Sequence, residues 1–184
     1  MPKTGKIFGK DLKMPETYTI SRIDVIQGTT NVDLTGLSDL LLEYENDRLD
    51  PEPHNTHYED SHCPDHPIVD SIVNEMISSF KEATDLDLEL QDKWAHIHQK
   101  NMSTNIHDHY PADVSSAFYV SVPEGSGNIC FHPSHNKYNP RREVFESKEG
   151  MYLMFPGGLE HSVTRNLSEN PRISLAFNFT IKNA

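Results

Sequence analysis

Near residue 85 the apolar positions of the chain change rhythm. Before that point they recur at three- and four-residue steps. Leu37, Leu40, Leu41 and Tyr44 predict a helix over about 36–48. Ile68, Ile72, Val73, Met76, Ile77 and Phe80 predict a second helix that opens on Pro67, a residue suited to a first helical turn, and ends near Thr84. The methionine and phenylalanine on that stripe read as core filling. Residues 17–26, YTISRIDVIQ, alternate and predict a strand, whereas residues 1–15 read as a loose arm. Between the two helices, the proline-rich stretch 49–67 reads as a long loop of the kind that often forms a lid.

After residue 85 the rhythm is two. DLELQDKWAHIHQ alternates, and SSAFYVSVP, GNICFHP, GMYLMFP, HSVTR and RISLAFNFTI are short runs rich in β-branched and aromatic residues, punctuated by Gly, Pro and Asn. The expected organisation is one domain over 1–184, with a strand and helices in 16–84 and a strand block in 85–184. The class is α+β, mainly β. Many short strands at this spacing fit a sandwich, a jelly roll or a barrel.

Composition narrows the partners. The chain has 184 residues, 35% hydrophobic and 24% charged, enough for a sizeable core. A formal net charge of -12 with scattered Lys and Arg argues against nucleic acid as a partner, because phosphate binding needs clustered cations. Two cysteines without a framework, a polar start and no apolar run of membrane-spanning length lead us to expect a cytoplasmic protein without a membrane partner. The unusual number is 11 histidines.

Their arrangement carries chemistry. In NIHDHYP, His107 and His109 are two apart, so an extended strand would aim both rings at one side while Asp108 points to the other. His161 follows 54 positions after His107, beyond a Gly-Gly turn and at the start of another expected strand. Two ligands from one strand and one from a distant strand make a facial metal triad with open positions, a geometry that suits non-haem Fe(II). Arg172, on an inward strand face, needs an anion, and its planar fork suits a carboxylate. Ser174, two residues on, faces the same side and can add a hydrogen bond. HxH, a Gly-bounded His and RxS in this order are more specific than any one of them.

The segment from Trp94 to Phe179, with HDHYPADVSSAFYV, GNICFHP, EGMYLMFPGGLEHSV and NPRISLAFNF in sequence, resembles the 2-oxoglutarate-Fe(II) oxygenase family, a prolyl-hydroxylase-like branch of the double-stranded β-helix (jelly-roll) dioxygenases. The resemblance implies a double-stranded β-helix core with the N-terminal helices packed on it. It also implies Fe(II), 2-oxoglutarate and O2 as metal and co-substrates, with hydroxylation of a small-molecule or peptide substrate and release of succinate and CO2. His107 and His161 match the iron-binding histidines, Arg172 the residue that holds the distal carboxylate, and Ser174 the small polar residue after it. Tyr119 is a further expected co-substrate contact. His109 stands where such relatives have a carboxylate, and SSAFY replaces SGxYY. Asp108 is expected to serve instead as an anchor behind the metal ligands.

Other histidines are read as less functional. His96 and His98 share a face with Trp94 and are expected to form a pocket wall. His132 and His135 are expected as loop histidines. His54, His57, His62, Cys63 and His66 cluster in the long loop without the spacing of a compact zinc module. Cys130 is expected to be buried and inert. Two other readings stand beside the dioxygenase: a three-histidine cupin-type metal enzyme that does not use 2-oxoglutarate, and a non-enzymatic jelly-roll binding module.

Overall fold

The computed structural model describes residues 4–7, 10–13, 23–46, 63–133 and 141–182. Its elements run β1 (Thr4–Ile7), β2 (Lys10–Lys13), β3 (Ile26–Thr29), α1 (Leu37–Asn46), α2 (Pro67–Thr84), β4 (Leu88–His98), β5 (Thr104–His107), β6 (Val114–Ser121), β7 (Ile129–Phe131), β8 (Glu143–Phe145), β9 (Met151–Pro156), β10 (His161–Val163) and β11 (Arg172–Ile181). All strand pairs are antiparallel. The larger sheet has the order β3-β9-β6-β11-β4 and the smaller β5-β10-β7-β8. The expected double-stranded β-helix, with helices on one side, is the fold.

The two strand faces account for the two cores. On β9, Tyr152 and Met154 turn outward beneath the helices, while Met151, Leu153 and Phe155 turn inward, so MYLMF is apolar on both faces. The outer core joins Leu37 and Leu41 of α1 and Val69, Ile72, Val73, Met76 and Phe80 of α2 to Phe118, Leu175, Phe177 and Phe179 of the large sheet. The inner core holds the sheets together through Tyr119, Ile129, Phe131, Leu153, Phe155 and Leu159. Burying each such side chain contributes roughly 1.5–3 kcal/mol.

Helix α2 begins and ends where the sequence places it. Pro67 fills the first turn, the His66 ring accepts from the Ile68 N–H (3.2 Å), and Asp85 takes the left-handed cap conformation (φ 64). His66 of the expected loop cluster is therefore a helix cap. His54, His57 and His62, most of the loop 49–67, and His135 lie outside the described residues.

Three expectations need correction. The segment read as a loose arm contains β1 and β2, paired as a hairpin with Ile7 opposite Lys10. The strand expected over 17–26 has its first six residues outside the description; residues 23–25 are not strand, and β3 begins at Ile26. It is fixed there by pairing with β9, where Gly28 passes so close to the Tyr152 ring that a Cβ would lie 2.2 Å from it. Finally, β8 was not anticipated, since REVFE is too short and too charged to show a two-residue rhythm.

Candidate metal centre

His107, His109 and His161 converge. One ring nitrogen from each lies within 4.8 Å of the other two, and they form the one such group of metal-capable residues among the described residues. The route differs in one respect from the expectation that both residues of HxH share a strand. Strand β5 ends at His107, which pairs directly with His161 on β10, and His109 lies beyond it in a turn. The turn is closed by the Ala112 N–H donating to the His109 carbonyl (2.8 Å), and is fastened by the His109 N–H donating to Gly157 (2.8 Å). Gly157 has no substitute there: a Cβ would lie 2.0 Å from the Ala112 carbonyl oxygen. The Gly-Gly turn thus delivers His161 and also seats His109. Asp108 points outward, as expected, where its carboxylate accepts from the Tyr110 N–H (3.0 Å).

The protonation pattern suits a cation. His107 Nδ1 lies 2.8 Å from the Asn105 carbonyl oxygen and His161 Nδ1 lies 2.9 Å from that of Leu159. A carbonyl only accepts, so both Nδ1 atoms carry the hydrogen, and Nε2 is the ligating nitrogen of each ring in its neutral form. His109 Nε2 lies 3.2 Å from His161 Nε2. His109 and His161 are 7% and 5% exposed. Burial, reinforced by the neighbouring histidines, pushes each down to about 3, so both rings are neutral near pH 7. Neutral imidazoles whose ring nitrogens converge on one point are what Fe(II) binding requires.

Arg172 is the second feature. It opens β11, is 2% exposed, and its Nε and Nη1 have no hydrogen-bond partner. Its guanidinium carbon lies 5.8 Å from the centre of the Tyr119 ring. Burial lowers its affinity for its proton and raises that of the Tyr119 phenol. The Tyr119 Oη, the adjacent Ser147 Oγ and the His98 Nδ1 are also buried without partners. Leaving such atoms unsatisfied costs about 1–3 kcal/mol each, and an anionic ligand with several oxygens would satisfy them. Ser174 and Tyr119 face each other across the β11–β6 register and line the same cavity as the triad and Arg172. The structure therefore brings together every expected site residue: His107, His109, His161, Arg172, Ser174 and Tyr119.

Several neighbours extend the site beyond these six residues. The Trp94 ring lies 5.3 Å from that of His109, and its Nε1–H donates to His96 Nε2 (2.6 Å). His96 lines the cavity from β4, and Trp94 and His98 share its face, as their spacing predicts. Thr104 holds His98 Nε2 (2.8 Å). Ser147 sits in a loop with no local signal to mark it. His132 is half-buried and bonded to the Ser162 hydroxyl rather than being a bare loop side chain. Cys130 is buried. Cys63 is buried too, and burial pushes its thiol up to about 11, the opposite of what a thiolate ligand needs.

Comparison with known proteins supports the same reading. Residues 92–178, a little under half of the chain, match the family model described as "Putative 2OG-Fe(II) oxygenase". The resemblance seen in the sequence is thereby shown, and members of that family use Fe(II), 2-oxoglutarate and O2. Among solved structures, the chain is similar to an oxidoreductase of the 2OG-Fe(II) oxygenase family from Burkholderia pseudomallei (16% identity, TM-score 0.60, 85% of each chain covered). It is similar to a Pseudomonas putida prolyl-4-hydroxylase (14% identity, TM-score 0.59, 85% of this chain and 86% of that one). It is also similar to the viral collagen prolyl hydroxylase of Paramecium bursaria Chlorella virus-1, solved with 2OG (15% identity, TM-score 0.57, 84% of this chain and 94% of that one). At these identities the likeness establishes the fold. No curated protein matches the chain. No helix among the described residues is long and apolar enough to cross a membrane.

Proposed function

We propose, from the oxygenase pattern carried by residues 92–178, that this chain is a 2-oxoglutarate-dependent Fe(II) dioxygenase that hydroxylates a small-molecule or peptide substrate. The observation that carries the reading is the buried Arg172, with two unpartnered guanidinium nitrogens in the same cavity as the three-histidine cluster. A metal-binding module alone would have no use for a buried cation, which is costly unless it meets an anion. Cysteine usage supports an intracellular setting.

In this reading His107, His109 and His161 hold Fe(II). Arg172 binds the distal carboxylate of 2-oxoglutarate bidentately, with Tyr119 and Ser174 donating from the adjoining strands. When bound, iron supplies the oxygen chemistry, in which 2-oxoglutarate and O2 yield succinate and CO2 and the second oxygen atom enters the substrate. The chain's part is to fix the ligand tautomers through Asn105 and Leu159, to seat His109 through Gly157 and the Trp94 ring packed on it, and to line the cavity with Phe155. A histidine at position 109 in place of a carboxylate leaves the site one negative charge poorer.

The test is 2-oxoglutarate turnover by the purified, untagged protein reconstituted with Fe(II). Succinate release is expected, together with one equivalent of bound metal. His161→Ala should remove both the metal and the turnover. Stoichiometric metal with oxygen uptake but no use of 2-oxoglutarate would overturn this reading.

A further inference from the structure

The cavity face of the large sheet is organised in rows. Antiparallel register places His98 opposite Arg172, His96 opposite Ser174 and Trp94 opposite Ala176 on β4 and β11, and Ser174 opposite Tyr119 on β6. The Trp94 row lies at the metal end, because the Trp94 ring packs on His109. The Arg172 row lies at the anion end. The row of His96, Ser174 and Tyr119 lies between them. A molecule that is held by Arg172 and reaches the metal must cross that middle row.

His96 crosses it in a fixed protonation state. The indole Nε1 can only donate, so His96 Nε2 must be the acceptor of their 2.6 Å bond. In a neutral ring the hydrogen then sits on Nδ1. The ring is neutral because a doubly protonated imidazole has no nitrogen left to accept. Among the described residues Nδ1 makes no hydrogen bond, and the ring lines the cavity. The result is a donor without a protein acceptor, aimed from a strand whose neighbours touch the metal ligand on one side and pair with Arg172 on the other.

We infer that Trp94 and His96 form a locked donor pair: Trp94 holds His96 in the Nδ1–H tautomer, and His96 donates to the metal-facing carboxylate or 2-oxo oxygen of the bound 2-oxo acid. The inference rests on the dioxygenase reading above. The pair selects for a ligand with an acceptor at that end, and it links the co-substrate to His109, because the same indole packs on the ligand ring.

Two measurements test it. In metal-free protein with 15N-labelled histidine, long-range proton–nitrogen spectra report the His96 tautomer directly. The Nδ1–H form is expected, changing to a mixture in Trp94→Phe. Calorimetric titration of 2-oxoglutarate into Mn(II)-loaded protein reports binding without turnover. His96→Leu should weaken binding by roughly 10- to 100-fold, the loss of one hydrogen bond to a charged group. His96→Asn, which restores an N–H donor, should recover most of it, and both should retain one Mn(II) by elemental analysis. An Nε2–H tautomer, or 2-oxoglutarate affinity unchanged in His96→Leu, overturns the inference while the wild-type binding stands. Failure of the Mn(II)-loaded wild type itself to bind 2-oxoglutarate overturns the dioxygenase reading, whatever the tautomer.

Discussion

The five-stranded sheet has two buried faces built on opposite terms. On the outer face, beneath α1 and α2, Phe118, Leu175, Phe177 and Phe179 pack into one apolar cluster. On the inner face the same strands present Arg172, Ser174, Tyr119, His96 and His98, and buried nitrogen and oxygen atoms of Arg172, Tyr119 and His98 have no partner. β11 shows the contrast residue by residue: Ile173, Leu175 and Phe177 point one way, Arg172 and Ser174 the other. One face is saturated and stabilises the fold. The other is left incomplete and awaits a ligand. Stability and binding should therefore respond in opposite ways to substitutions an odd number of residues apart on one strand.

The outer face gives the largest effect on stability. Phe177→Ala removes a fully buried ring and should cost about 3–5 kcal/mol, read by denaturant unfolding. Metal stoichiometry in the protein that remains folded should be unchanged. On the inner face, Arg172→Met should weaken 2-oxoglutarate binding by about 2–5 kcal/mol, read by calorimetry on metal-loaded protein. The same substitution should raise the stability of the ligand-free protein by about 1–3 kcal/mol, because a buried cation without partners is replaced by an apolar chain of similar length. Loss of stability in Arg172→Met would mean that the inner face is a structural core like the outer one.

The outer face was the more legible in the sequence. The helical stripe from Ile68 to Phe80 and the alternation in RISLAFNFTI follow from local periodicity, and α2 occupies the residues expected of it. His107, His161, Arg172 and Ser174 were also legible, because strand alternation fixes which side chains point inward. His109 joins the cluster, but not by the expected route. Its position depends on the close approach of Gly157 to Ala112, a contact between segments 45 residues apart that no local pattern records. Ser147 lies in a loop and carries no periodic signal. The tautomer lock on His96 was hidden for another reason: spacing shows that Trp94 and His96 share a face, but not that their polar atoms meet at 2.6 Å. The hairpin of β1 and β2 and the short β8 fell below the length at which alternation can be recognised.

The smallest effect separates the faces by pH. His98 is buried on the inner face, and burial, with Arg172 opposite, pushes it down to about 3 from an ordinary value of 6.5. Unfolding returns it to that ordinary value. Between pH 6.5 and about 3 the unfolded chain therefore binds a proton that the folded protein does not, so the stability that His98 permits above pH 6.5 is lost as the pH falls. Once the pH is below 6.5, the slope approaches about 1.4 kcal/mol per pH unit for one such histidine. Metal-free protein should thus lose stability on acidification faster than its carboxylates alone dictate, and His98→Asn should flatten the curve by close to one proton. The outer-face variant Ile72→Val should lower the whole curve by about 0.5–1.5 kcal/mol without changing its slope. Chemical denaturation of the metal-free proteins at a series of pH values from 7 to 5 measures both. An unchanged slope in His98→Asn would show that the ring is charged in the folded state, and that the inner face already has its anion.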